Sequence, residues 1–93
     1  MRIEFDPAKS EKNLRQRGLA FELVEQFEWE TASFSEDDRF AYPETRIVVV
    51  GFIAARLHVV CFTPVEGGIR VISFRKANER EVRRYEKEKA AYG

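Results

Sequence analysis

Between Arg46 and Phe74 the chain carries three apolar runs separated only by short turns, and these runs restrict the fold more than any other feature. Ile47-Val48-Val49-Val50-Gly51-Phe52-Ile53 is continuous and mostly β-branched, the pattern of a strand covered on both faces. Ala54-Ala55 must then turn the chain tightly, although neither residue favours positive φ. Leu57-His58-Val59-Val60-Cys61-Phe62-Thr63 returns antiparallel. Pro64-Val65-Glu66-Gly67-Gly68 makes the next turn, and a strand from Ile69 to Phe74 completes a three-stranded meander.

The third strand runs straight into a helix. Asn78 is an N-cap, and Glu81 three residues later completes a capping box, because its carboxylate reaches back to the Asn78 amide. The helix is expected over roughly 78–88. Arg75 and Lys76 lie at the handover, and Arg80, Arg83 and Arg84 follow on the helix. A rigid strand end and a rigid helix start hold cations near one another, which suits a phosphate.

The N-terminal half reads more weakly. Arg2-Ile3-Glu4-Phe5 alternates as a short strand. Asp6 as N-cap and Pro7 at the first helical position start a helix that runs to about Arg17 and stops at Gly18. Leu14 is its only large apolar residue, so one face is free to bind. Ala20, Leu23, Val24 and Phe27 fit a second, short amphipathic helix. Trp29 is expected to cap the core, Thr31-Ala32-Ser33-Phe34 to form a weak strand, and residues 35–45 to form a surface loop. The order is β-α-α-β-β-β-β-α. Residues 1–93 are read as one α+β domain with a mostly antiparallel sheet, N-terminal helices and a C-terminal helix.

Hydrophobic residues at 44% and eight Phe suffice for one core at this length. No apolar run is long enough for a membrane span, and the N-terminus lacks the apolar region of a signal peptide. Cys61 is the lone cysteine, so no internal disulfide can form, which fits a reducing cytoplasm. It is expected to be buried and inert.

Net charge is zero, yet residues 1–18 carry five basic and three acidic groups, residues 19–46 two and eight, and residues 70–93 eight and four. If the fold brings the ends together, they form one positive patch. Solvated i,i+4 pairs are the bland account of the same pattern.

The candidates for chemistry have competing readings. Arg75 and Arg80 suit transition-state charge, and Lys76 suits phosphate positioning. Arg83 is a further phosphate contact, although Arg83, Arg84 and Lys87 also read as an ordinary helix surface. Lys9, Lys12, Asn13 and Arg17 form a polar stripe on the first helix, either a second wall of an RNA groove or a solubilising face. Glu81 is a base, or it holds Arg75 and caps the helix. Tyr85 stacks on a base or packs under the helix. His58 is the only histidine, read as a hydrogen-bonded strand residue rather than an acid–base group. Glu36-Asp37-Asp38 is the nearest approach to a metal site and is read as solvated charge. No metal or other cofactor is expected.

Phe5-Asp6-Pro7-Ala8-Lys9 with Asn13-Leu14, then Arg17-Gly18-Leu19-Ala20-Phe21-Glu22, resembles the opening of the bacterial BrnT toxins. Arg46-Ile47-Val48-Val49-Val50-Gly51 and Leu57-His58-Val59-Val60-Cys61-Phe62-Thr63 are similar to their middle. Arg70-Val71-Ile72-Ser73-Phe74-Arg75-Lys76-Ala77-Asn78 with Glu81 and Tyr85 carries the resemblance furthest. It implies a RelE-like fold and a metal-independent ribonuclease toxin of a type II toxin–antitoxin pair. It also implies a BrnA-like ribbon-helix-helix antitoxin, through which alone DNA would be met. The matching positions are Lys9, Asn13, Ser73, Arg75, Lys76, Glu81 and Tyr85. One departure is Gln16-Arg17, where the family often has a basic residue followed by His; a guanidinium stays protonated and is a poor base. Two functions stay open: RNA cleavage in a groove between the sheet and the first and last helices, or a non-catalytic module that docks a DNA-binding partner for autoregulation.

Overall fold

In the computed structural model, which describes residues 1–92, five strands form one sheet in the order β1-β5-β4-β3-β2. The elements are β1 (Arg2–Glu4), α1 (Pro7–Arg17), a 3₁₀ segment (Phe21–Gln26), β2 (Ser33–Glu36), β3 (Ile47–Ile53), β4 (Arg56–Val65), β5 (Gly68–Lys76) and α2 (Glu79–Tyr92). The apolar runs form the expected meander, and α2 follows it. The fold is α+β. Only β1 pairs in parallel, with Arg2 opposite Gly68 and Glu4 opposite Arg70. This pairing brings the basic N-terminal segment beside the basic C-terminal one.

Local chemistry bounds α1 as expected. The Asp6 carboxylate accepts from the Ala8 amide at 2.9 Å, and Gly18 takes φ 72° at the C-cap. The next segment departs from expectation. Its buried residues are Phe21, Val24 and Phe27, three apart, instead of an α-helical face of Ala20, Leu23, Val24 and Phe27. A 3₁₀ helix has three residues per turn, so this spacing stacks the two Phe and Val24 on one side. The Ser10 hydroxyl accepts from the Phe21 amide at 2.9 Å and turns Phe21 inward.

β2 also differs, because it lies two residues later than Thr31–Phe34 and takes in Ser35 and Glu36. As an edge strand it tolerates polar residues on its exposed side. Thr31 serves otherwise: its carbonyl accepts from the Tyr85 hydroxyl at 2.7 Å.

β3 supplies both faces of the sheet. Val49 packs with Val60, Phe62, Val71 and Phe74 against Phe21, Val24 and Phe27. Val48, Val50 and Phe52 pack with Leu57 and Val59 against Ala77, in the link after β5, and against Val82 and Tyr85 of α2. In β5 the alternation breaks. Cys61 faces Ser73 while Phe62 faces Val71, so Ile72 is an extra residue. This bulge shifts the phase, and Phe74 rather than Ser73 turns to the core.

The Ala54-Ala55 turn is strained as the sequence suggests, with Ala54 at φ 54°. Ala54→Gly should stabilise the protein by about 0.5–1 kcal/mol, the relief of left-handed strain less the added chain entropy. Urea denaturation measures this; an unchanged or lower midpoint would mean the turn carries no strain.

Candidate functional site

The junction of β5 with α2 is built by one carboxylate with two tasks. Glu81 Oε1 accepts from the Asn78 amide at 2.9 Å, and Asn78 Oδ1 accepts from the Glu81 amide at 2.9 Å, which closes the capping box. The same carboxylate takes both terminal nitrogens of Arg75, at 2.7 and 2.8 Å. Arg75 Nη1 also reaches the Lys76 carbonyl at 3.3 Å. The guanidinium is therefore fixed in a fork before any ligand arrives, with Nε–H and further N–H groups to spare. The Arg75 bonds hold the Glu81 carboxyl below its ordinary pKa against the opposing effect of burial. Glu81 stays ionised and is a weak base.

Arg75 and Lys76 leave opposite faces of the strand. Arg75 lies opposite Val59, on the face that α2 covers, and lines a concavity of about 580 Å³ with Ser73, Cys61, Glu81, Tyr42 and Arg46. Lys76 lies opposite His58, on the other face. The cations thus straddle the end of the sheet. Arg80 is exposed and has no ion pair among the described residues. Arg83 is 3.9 Å from Glu79 and lines a second concavity of about 480 Å³ with Arg56 and Ala77. Arg84 is exposed, as expected of a solvated face, and also lines a third with Glu81, Ser33 and Glu88.

Two expected RNA contacts have their polar groups committed elsewhere. Tyr85 is 7% exposed, donates its hydroxyl to Thr31 and meets Phe52 edge-on at 5.6 Å, so its ring packs under α2 and offers no face to a base. Asn13 donates from Nδ2 to the Leu19 carbonyl at 2.8 Å and the Phe74 carbonyl at 2.9 Å, which ties α1 to the edge of β5. Lys9, Lys12 and Arg17 stay exposed on α1. None of the residues lining the Arg75 concavity belongs to α1; the opposite wall is residues 35–46. The groove expected between the sheet and both helices is replaced by one between α2 and this segment.

That wall is where sequence reading missed most. Asp37 is buried, not solvated. It accepts from Arg39 at 2.9 and 3.0 Å and from the Tyr42 hydroxyl at 3.4 Å. The Arg46 guanidinium sits 3.9 Å from the Tyr42 ring centroid and pairs with Glu44 at 3.3 Å. The acid–Arg spacing of two residues at 37/39 and 44/46 was the available signal. Among the described residues no three His, Cys, Asp or Glu side chains cluster to hold a metal ion. Cys61 is buried at the floor, and burial raises its pKa, so the thiol stays protonated.

A family model described as ribonuclease toxin, BrnT, of type II toxin-antitoxin system matches residues 5–81. This chain belongs to the BrnT family. The match covers α1, strands β2 to β5 and the Arg75–Glu81 pair, leaves out β1, and ends on the residue that closes the capping box. No curated protein and no solved structure matches the chain. No helix of this BrnT-family chain is long and apolar enough, among the described residues, to cross a membrane.

His58 is buried, with Nδ1 2.8 Å from the Arg56 carbonyl. Burial, and then the nearby charges of Arg56 and Lys76, hold its pKa below the ordinary 6.5, against the hydrogen bond to the Arg56 carbonyl. The unfolded chain therefore binds a proton that the folded chain refuses as pH falls below 6.5, and stability is lost on acidification. The Glu81 contribution acts lower, present above 4.5 and lost as pH falls through its depressed pKa. Urea midpoints should fall between about pH 7.5 and about pH 5.5 in the native chain and stay level in His58→Asn. Equal slopes would mean that His58 titrates normally.

Proposed function

We propose that this BrnT-family chain is a metal-independent endoribonuclease of the cytoplasm that arrests translation and growth until a BrnA-like ribbon-helix-helix antitoxin neutralises it. DNA is met only through that antitoxin. RNA suits cleavage without a metal because its own 2′-OH can attack the adjacent phosphate. The protein has to orient that hydroxyl, stabilise the phosphorane and see the leaving oxygen protonated.

The observation that carries this reading is the Arg75 fork, held rigid by Glu81 at the rim of a concavity. Donors fixed beforehand cost no reorganisation when charge develops. Arg75 and Arg80 are assigned to transition-state charge, with Glu81 as the residue that positions Arg75. Lys76, Lys9, Lys12, Arg17 and Arg83 are assigned to the RNA backbone.

A second reading, a non-catalytic module that docks a DNA-binding partner, draws support from Phe34 and Phe40, exposed at 54% and 67% near the same wall. Induction of this chain alone separates the two. Growth arrest with RNA cut in the cells, relieved by the neighbouring antitoxin gene, is expected of the enzyme. Intact RNA and normal growth are expected of the docking module.

A further inference from the structure

The wall of the Arg75 concavity formed by residues 35–46 holds none of the residues assigned to RNA so far. Its sequence interleaves cations and aromatics, with Arg39, Phe40, Tyr42 and Arg46. We propose that this wall binds a nucleobase, stacked on the guanidinium face of Arg46 beside the phosphate at Arg75, a site that rests on the ribonuclease reading and gives it a grip on the base.

The geometry of Arg46 settles what it can offer. Its guanidinium carbon lies 3.9 Å from the Tyr42 ring centroid, which places it over the ring face, because the ring itself holds an edge-on approach farther off. Nε and Nη2 each reach Glu44 Oε1 at 3.3 Å. One face and one edge are therefore taken, and the plane is held still. The side chain is nevertheless 27% exposed, and it lines both the Arg75 concavity and an adjoining one of about 290 Å³. The face away from Tyr42 is what it presents to a ligand. Guanidinium planes and aromatic rings are the surfaces on which unpaired bases stack. Phe40, exposed and edge-on to Tyr42 at 5.7 Å, prolongs the platform.

Charge favours a base over a second phosphate. Residues 35–46 carry Glu36, Asp37, Asp38 and Glu44 against Arg39 and Arg46. Arg39 is taken by Asp37, and Arg46 by Glu44. Surplus negative charge repels a phosphate, whereas an uncharged base meets no such repulsion. The floor beside the wall is Val48, Val59 and Cys61, which suits a base and not an anion.

Position agrees with this division. Strand pairing sets Ser35, Val48, Cys61 and Ser73 in one row across the sheet. Arg46 and Arg75 each lie two residues from that row, in opposite directions, and strand rise and spacing put their Cα atoms about 16 Å apart. Side chains stand nearly perpendicular to a sheet, so the two guanidiniums meet different parts of the RNA.

Binding is measured with two uncleavable 2′-deoxy probes of one length, one complete and one with every base removed, so that the readout does not depend on cutting. Arg46→Ala should weaken binding of the complete probe by about 5- to 150-fold, the loss of one stacked base, and leave the abasic probe nearly unchanged. Arg46→Lys should recover little, because an ammonium keeps the charge and has no plane. The slope of log affinity against log salt should hold, whereas loss of a phosphate contact would lower it by about 0.7 on a single strand. Full affinity in either variant would overturn the assignment. Equal losses on both probes, with the lower salt slope, would make Arg46 a phosphate contact and overturn it too. If the variants do not fold, NMR of the wild type decides: the Arg46 Nε–H signal should move upfield with the complete probe and stay in place with the abasic one, and a signal indifferent to both would overturn the site. A wild type that neither cuts RNA nor binds a probe removes the ribonuclease reading and this one together. A wild type that cuts RNA, with Arg46→Ala binding normally, removes only the base site.

Discussion

Arg75→Ala should slow RNA cleavage by about a hundred- to a thousandfold, the effect of about 3–4 kcal/mol when a single preorganised donor is removed. The fold should survive. The pair with Glu81 is partly exposed, and such a pair contributes at most about 1 kcal/mol. Glu81 keeps its bond from the Asn78 amide after Arg75 is gone, so the helix start stays capped. Arg75→Lys should recover little, because one ammonium cannot make the two parallel bonds that fix the fork. Lys87→Ala, on the exposed side of α2, should cut RNA almost normally. Arg84→Ala is a poorer control, since Arg84 shares a concavity with Glu81. Rates are read with melting curves beside them. An equal loss in Lys87→Ala would mean a diffuse cationic surface, and a fully active Arg75→Ala would remove Arg75 from the site.

Gly68→Ala should destabilise the protein by about 3 kcal/mol, the upper range for forcing an added carbon into a packed site. A Cβ there would run into the Arg2 carbonyl oxygen and come 2.6 Å from its carbon. Both atoms are backbone, so no rotamer change relieves the clash. β1 must then move off β5, which withdraws Ile3 from the core it packs against. The melting temperature should fall by on the order of 15 °C in a domain of this size. Gly67→Ala is the comparison. Gly67 has φ 76° and open space around it, so only backbone strain of about 1 kcal/mol applies. Similar melting of both variants would mean that β1 and β5 do not approach as closely as the pairing requires.

What could be read from sequence was what neighbouring residues settle between themselves. Asp6, Pro7 and Gly18 bound α1, and Asn78 with Glu81 starts α2, because caps act over three or four residues. The runs of β3, β4 and β5 were legible because burial on both faces leaves little room for polar residues. Long-range choices were not legible. Nothing in Arg2-Ile3-Glu4 names Gly68 as a partner or parallel as the direction. Ile72 reads as one more apolar strand residue, and only pairing with β4 makes it a bulge. The 3₁₀ segment was misread because Leu23 and Val24 fit an α-helical template as well as Phe21, Val24 and Phe27 fit a period of three.

The site divides along the same line. The capping box and the closeness of Arg75 to Glu81 follow from spacing. The commitments of Asn13 and Tyr85 do not, since each side chain bonds to a carbonyl more than fifty residues away. Arg46, Tyr42 and Asp37 reach the Arg75 concavity only because β2 and β3 carry them across the sheet.

The most direct measurement is cleavage of a single-stranded RNA by the purified chain in excess EDTA, with the product ends identified. The account predicts cutting that the chelator does not slow, 2′,3′-cyclic phosphate and 5′-hydroxyl ends, and no cutting of the 2′-deoxy analogue. Cleavage that stops in EDTA and returns with added divalent metal, or that proceeds equally well on the 2′-deoxy strand, would contradict it.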